Sequence, residues 1–102
     1  MNRLETLKEL VRQNPSDTFA RYGLAMEYAR GGDFEASAAE YKGLVDAHPD
    51  YSAAYYHGGK VLERLGRLEE AREFYRLGIA VTTRLGDSHA RDELQGALEM
   101  LG

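Results

Sequence analysis

The stretch Ala29-Arg30-Gly31-Gly32-Asp33-Phe34-Glu35-Ala36 lies, 34 residues on, over Glu63-Arg64-Leu65-Gly66-Arg67-Leu68-Glu69-Glu70. Both segments read as a helix end, a glycine turn and a new helix start, because glycine reaches the left-handed backbone angles that stop a helix. The same shift sets Pro15 on Pro49, Tyr22 on Tyr56 and Tyr41 on Tyr75. Self-similarity at one fixed period marks a repeat architecture, in which each unit buries its apolar face only against its neighbours.

Working outward, each unit resolves into two helices. In the first unit they span about Asp17 to Arg30, with Asp17 as N-cap, and about Phe34 to Ala47, ended by His48-Pro49 because proline disfavours helix at the preceding residue. The second unit repeats this from about Tyr51 to Leu65 and from Arg67 to Arg84. A single helix, about Arg3 to Gln13, precedes the units. A last one, about Ser88 to Leu101, carries Ala90, Leu94, Ala97, Leu98 and Leu101 as one apolar stripe. Short turns make neighbouring helices antiparallel. The expected fold is all-α: about six helices in antiparallel helix-turn-helix repeats. As domain organisation, the pattern predicts one domain over 1–102. It comprises an N-terminal half-repeat helix (1–15), a first repeat (16–49), a second repeat with an extended second helix (50–86) and a C-terminal capping helix (87–102).

Composition excludes several function classes. The 102 residues are 43% hydrophobic and 29% charged, with a formal net charge of −4 and no cysteine. One domain of this size folds without staples. Without cysteine there is neither a disulfide framework nor a thiol nucleophile. Acidic residues spread over the second helices oppose a nucleic-acid partner, which needs clustered Lys and Arg. No apolar run approaches a membrane span. The stretch Met1 to Gln13 interleaves its leucines with Arg3, Glu5, Lys8, Glu9 and Arg12, unlike a signal peptide, so a cytoplasmic location is expected. His48, His57 and His89 fall on three different elements without metal-ligand spacing, and no nucleophile or phosphate-loop motif is present. The chain is therefore expected to be no enzyme and to use no cofactor or metal.

The residues at set intervals resemble the tetratricopeptide repeat, a 34-residue helix-turn-helix. Leu24, Ala25 and Tyr28 fill its Leu, Gly and Tyr slots in the first unit, with Ser37 for the alanine, Tyr41 for the second aromatic and Pro49 for the proline. Tyr55, Gly59, Leu62, Ala71 and Tyr75 follow in the second unit. Arg21, Gly58 and Thr83 depart from the pattern. Two adjacent glycines within a helix cost about 1 kcal/mol each relative to alanine, and Gly58 calls for either a gap or a neighbour leaning in. Thr83 in place of proline lets the last repeat helix run on. The resemblance implies that these repeats form a short right-handed superhelix, an α-α solenoid, with a concave surface built from first helices, where partners bind.

On those first helices a second stripe remains after the packing stripe is assigned. Phe19, Tyr22, Met26 and Arg30 line one helix; Tyr56, His57, Lys60 and Arg64 line the other. Tyr22 is expected beside Tyr56, Met26 beside Lys60 and Arg30 beside Arg64. These eight residues are the candidate peptide-binding site, with rings as apolar area and cations that pair with carboxylates. The expected partner is a protein or peptide with apolar anchors and an acidic group. A two-fold homodimer through the same apolar face is the alternative. A two-carboxylate clamp of Lys, Asn and Arg, which grips C-terminal tails in some members of that family, is not matched, because Tyr22, Met26 and His57 stand at its positions.

Overall fold

Asn2, Asp17, Asp33 and Asp87 accept hydrogen bonds from the amides of Glu5, Ala20, Ala36 and Ala90 at 2.8, 3.1, 3.2 and 3.1 Å. Each satisfies an amide that helix geometry leaves without a partner, and so fixes where a helix begins. The computed structural model describes all 102 residues and contains six helices and no strand. They are α1 (Arg3–Gln13), α2 (Thr18–Arg30), α3 (Phe34–Ala47), α4 (Ala53–Arg64), α5 (Leu68–Leu85) and α6 (Ser88–Leu101). Gly32 and Gly66, one period apart, close α2 and α4 with φ of 86° and 74°. At the end of α5, Gly86 does the same at 74°. With Thr83 where the other unit has proline, α5 runs for 18 residues against 14 in α3.

Consecutive helices pack on one another, and α4 also reaches α6. The molecule measures 40 × 28 × 19 Å. Its core is a single cluster that includes Tyr41, Leu44, Leu62, Phe74, Tyr75 and Leu94. Close helix approach rests on residues with little or no side chain. A Cβ at Gly59 would overlap the Tyr75 ring, and one at Gly78 would lie 2.7 Å from Tyr55 Cβ and 2.9 Å from Leu94 Cδ1. At Gly58 the space is taken by the Phe74 ring, which is the neighbour leaning in. Arg21, standing in the first aromatic slot, lays its guanidinium over Gly43 of α3. The stripe expected on α6 is the face it buries: Leu94 and Ala97 are buried, and Leu98 and Leu101 are partly so.

Polar groups drawn into this core are satisfied. The Ser37 hydroxyl, fully buried in a slot where the repeat has alanine, donates to the Ala25 carbonyl at 2.7 Å. Tyr55 Oη donates to the Pro49 carbonyl at 2.6 Å, and Tyr75 Oη donates to Glu63. A charged chain ties α3 to α5: Arg67 reaches Glu35 at 2.8 Å and Glu70 at 2.5 Å, and Lys42 meets Glu70 at 2.5 Å. The Arg67 guanidinium and then the Lys42 ammonium hold the Glu70 carboxyl down at about 2.

Two glycines with opposite surroundings test the packing. Gly58→Ala gains helix propensity but must displace the Phe74 ring, so it is expected to destabilise the fold by about 1–3 kcal/mol. Gly96, in α6 with nothing within 4 Å of an added Cβ, should become more stable as alanine by about 0.5–1 kcal/mol. Urea denaturation of the two variants beside the parent checks both signs.

Candidate functional site

The second helices α3 and α5 take the inner face of α2 and α4, and what remains of the first helices lines a trough. Its volume is about 390 Å³. Met26, Ala29 and Arg30 of α2, Phe34 and Tyr41 of α3, and His57, Lys60, Val61 and Arg64 of α4 form its walls. Five of the eight residues expected from the sequence thus meet in one place: Met26, Arg30, His57, Lys60 and Arg64. Phe19 stands outside the trough, near the start of α2, with 80% of its surface exposed. Met26, one helical stripe along, is 44% exposed.

The two tyrosines behave differently from Phe19. Tyr22 is half-buried and packs on the core. Its ring centroid lies 6.2 Å from Tyr41, 5.5 Å from Tyr51 and 5.8 Å from His57. Burial and the nearby Tyr51 push its phenol upward from the ordinary range. Tyr56 also leans on the core and meets His57 edge-on at 5.4 Å. The imidazole at 57 therefore touches both rings. A free aromatic floor of Phe19, Tyr22 and Tyr56 is not what the chain presents: two of its three rings share in folding. Tyr51, in the turn after Pro49, supplies much of the contact that draws Tyr22 in.

The cations divide as well. Arg30 is held by Glu27 at 2.8 Å, and the same mostly buried carboxylate takes Arg3 at 3.1 Å. Arg30, more than Arg3, keeps the Glu27 carboxyl below its ordinary range. Lys60 sits 5.5 Å over the Tyr56 ring and loosely opposes Glu63 at 3.7 Å. Arg64 has no carboxylate partner; its guanidinium lies 4.6 Å over the Phe34 ring. That cation–π contact fixes the direction of the group while leaving its N–H donors free. Every charged side chain in the trough wall is thus basic, on a chain whose formal net charge is −4.

Sequence reasoning missed Phe34, Tyr41, Val61 and Ala29 in this site. Phe34 reads as the first residue of a helix, and only the turn of the hairpin carries it beneath Arg64. One local signal separates the two arginines: the residue three before Arg30 is Glu27, an ion-pair spacing on a helix, whereas three before Arg64 stands Val61.

Comparison with known proteins accounts for this architecture. The sequence pattern of the tetratricopeptide repeat matches residues 22–90, and the chain belongs to that family. It is similar to a TPR repeat-containing protein of Pseudomonas aeruginosa, 30% identical over 98 residues covering 96% of this chain and 93% of that one. Among solved structures it is similar to a tetratricopeptide repeat domain protein from Salinibacter ruber. That crystal structure is 38% identical with a TM-score of 0.78, covering 83% of this chain and 94% of the other. A solution structure from Bordetella parapertussis is 29% identical with a TM-score of 0.83, covering 99% and 88%. Tetratricopeptide repeats generally mediate protein–protein interaction and are generally not catalytic. No helix is long and apolar enough to cross a membrane.

Two outcomes test the division of labour among the rings. Phe19→Ala should change stability by less than about 0.5 kcal/mol, as surface substitutions do, while Tyr22→Ala should cost on the order of 2 kcal/mol through lost packing; guanidinium denaturation distinguishes them. Burial pushes the His57 imidazole below its ordinary 6.5, outweighing Glu93, which favours the charged form. The folded chain then takes that proton less readily than the unfolded chain. The stability carried by neutral His57 is complete above pH 6.5 and drains away as pH falls below it. His57→Gln should flatten the dependence of thermal midpoint on pH as pH falls below 6.5.

Proposed function

We propose that this chain is a cytoplasmic, non-catalytic interaction module that holds a peptide or protein segment along the concave face of α2 and α4. The eight residues Phe19, Tyr22, Met26, Arg30, Tyr56, His57, Lys60 and Arg64 form its binding surface, in three kinds of role. Phe19 and Met26 offer open apolar area. Tyr22, Tyr56 and His57 stiffen the wall. Lys60 and Arg64, with Arg30 behind them, meet an acidic group. The observation that carries this reading is Arg64, a cation without a carboxylate, aimed by Phe34 in a trough whose charged side chains are all basic. Arginine in such a site pairs with carboxylate through two parallel hydrogen bonds, which gives geometry as well as energy. Neither nucleic acid nor a membrane is part of this proposal, and no cofactor is required.

A second reading, self-association in a two-fold dimer, is favoured by the same exposure of Phe19 and Met26. It predicts concentration-dependent sedimentation that disappears when Phe19 and Met26 are both made polar.

An array of short peptides, each carrying apolar residues and one Asp or Glu with its amide counterpart beside it, tests the principal reading. Arg64→Gln should abolish the preference for acid over amide, and raising salt should weaken it. Arg30→Gln should leave most of that preference, because Arg30 is committed to Glu27. Equal capture of acid and amide peptides by the parent protein would sink the reading.

A further inference from the structure

The second helices carry an opening of their own. Both α3 and α5 pack on α4, and between themselves they leave a groove of about 220 Å³. Val45, Phe74 and Leu77 are its apolar lining. The core consumes most of Val45 and Phe74, whereas Leu77 keeps 44% of its surface open. The groove shares no residue with the trough on α2 and α4.

Helical spacing sets the charges along it. Lys42 of α3 meets Glu70 of α5 across the gap at 2.5 Å, so that a cation is set against a carboxylate. Residues three or four apart share a helix face. One turn beyond Lys42 stands Asp46, and one turn beyond Glu70 stands Glu73, both lining the groove. At this level each bank carries a carboxylate, and the one cation of the lining, Lys42, is already spent on Glu70. Asp46 enters no ion pair, and Glu73 has only Arg76 of its own helix, at 3.9 Å. The groove is thus apolar below and negative at its rim.

We propose that this groove is a second docking site, for a basic segment of another protein. An arginine or lysine of that segment, flanked by apolar residues, lies between α3 and α5. Its methylene stem covers Leu77 and the open edge of Phe74, as long cationic side chains lie along apolar surface. Its charged head donates to Asp46 and Glu73 in charge-assisted hydrogen bonds. An acidic segment would add a like charge at the rim, and a purely apolar one would strip water from two carboxylates without pairing them. The trough wall carries only basic charged groups, so the two openings select guests of opposite sign.

The probe is the capped peptide acetyl-Ser-Leu-Arg-Leu-Ser-amide, made also with citrulline, lysine or glutamate in place of arginine. Each is titrated to millimolar concentration into the isotope-labelled intact chain and followed by two-dimensional amide NMR. Shifts should cluster in residues 42–46 and 70–77. Citrulline, which keeps the stem and loses the charge, should bind about fivefold more weakly than arginine. Lysine should bind near the arginine value, and glutamate should leave these amides unmoved. Asp46→Asn combined with Glu73→Gln should erase the preference for arginine over citrulline, with a thermal midpoint near the parent value. Leu77→Ser should weaken both peptides alike. Equal binding of arginine and citrulline, or shifts confined to α2 and α4, overturns the proposal. Shifts at the groove that grow with protein concentration alone also overturn it, because a second copy of the chain then covers the site.

Discussion

The Tyr75 ring occupies the space where a Cβ of residue 59 would be, and the Phe74 ring does the same at residue 58. These seats bring α5 against the backbone of α4, and the rest of the molecule follows from that approach. With α4 and α5 closed on each other, Leu62 and Tyr75 become fully inaccessible, and the Tyr75 hydroxyl reaches Glu63 across the pair. Tyr55, on the same helix, sits at Gly78 and fixes the far end, where α6 covers the pair with Leu94. A side chain at any of these glycines forces the helices apart. The interior is packed to near-crystalline density, so such a change propagates rather than being absorbed. The helix-propensity cost of Gly58 and Gly59 is thus offset by ring burial that alanine would forbid.

Because the second helices consume the inner faces, α2 and α4 turn what is left toward solvent. The electrostatics of that surface arise by subtraction. Most of the chain's guanidinium groups are bound to a carboxylate: Arg67 to Glu35 and Glu70, Arg30 and Arg3 to Glu27, Arg72 to Glu69. Exposed pairs of this kind add little stability, but they cancel charge. Arg64 escapes cancellation, and a ring rather than a carboxylate orients it. A net-acidic molecule thereby keeps one trough whose charged wall residues, Arg30, Lys60 and Arg64, are all basic.

The relation to other proteins divides along the same boundary. The residues that make the fold are small ones at helix crossings and aromatics above them, and these tolerate wide change elsewhere. The repeat pattern imposes no identity on trough residues such as Phe34 and Arg64.

The amino-acid sequence by itself determined the helices and their order. Caps and glycine turns act within a few residues: Asp17, Asp33 and Asp87 start helices on amides three residues away, and Gly32 and Gly66 end them through their own backbone angles. The 34-residue period then placed Tyr41, Leu62, Ala71 and Tyr75 inside. Only the tertiary structure decided which of the outward groups stay free. Tyr22 is drawn in by Tyr51, and Phe34 is carried beneath Arg64, through contacts between residues distant along the chain or across a turn. Helical periodicity assigns a residue to a face; it does not say what stands opposite that face. Tyr22 and Phe19 look alike on the wheel and differ in fate because one meets another ring and the other meets water.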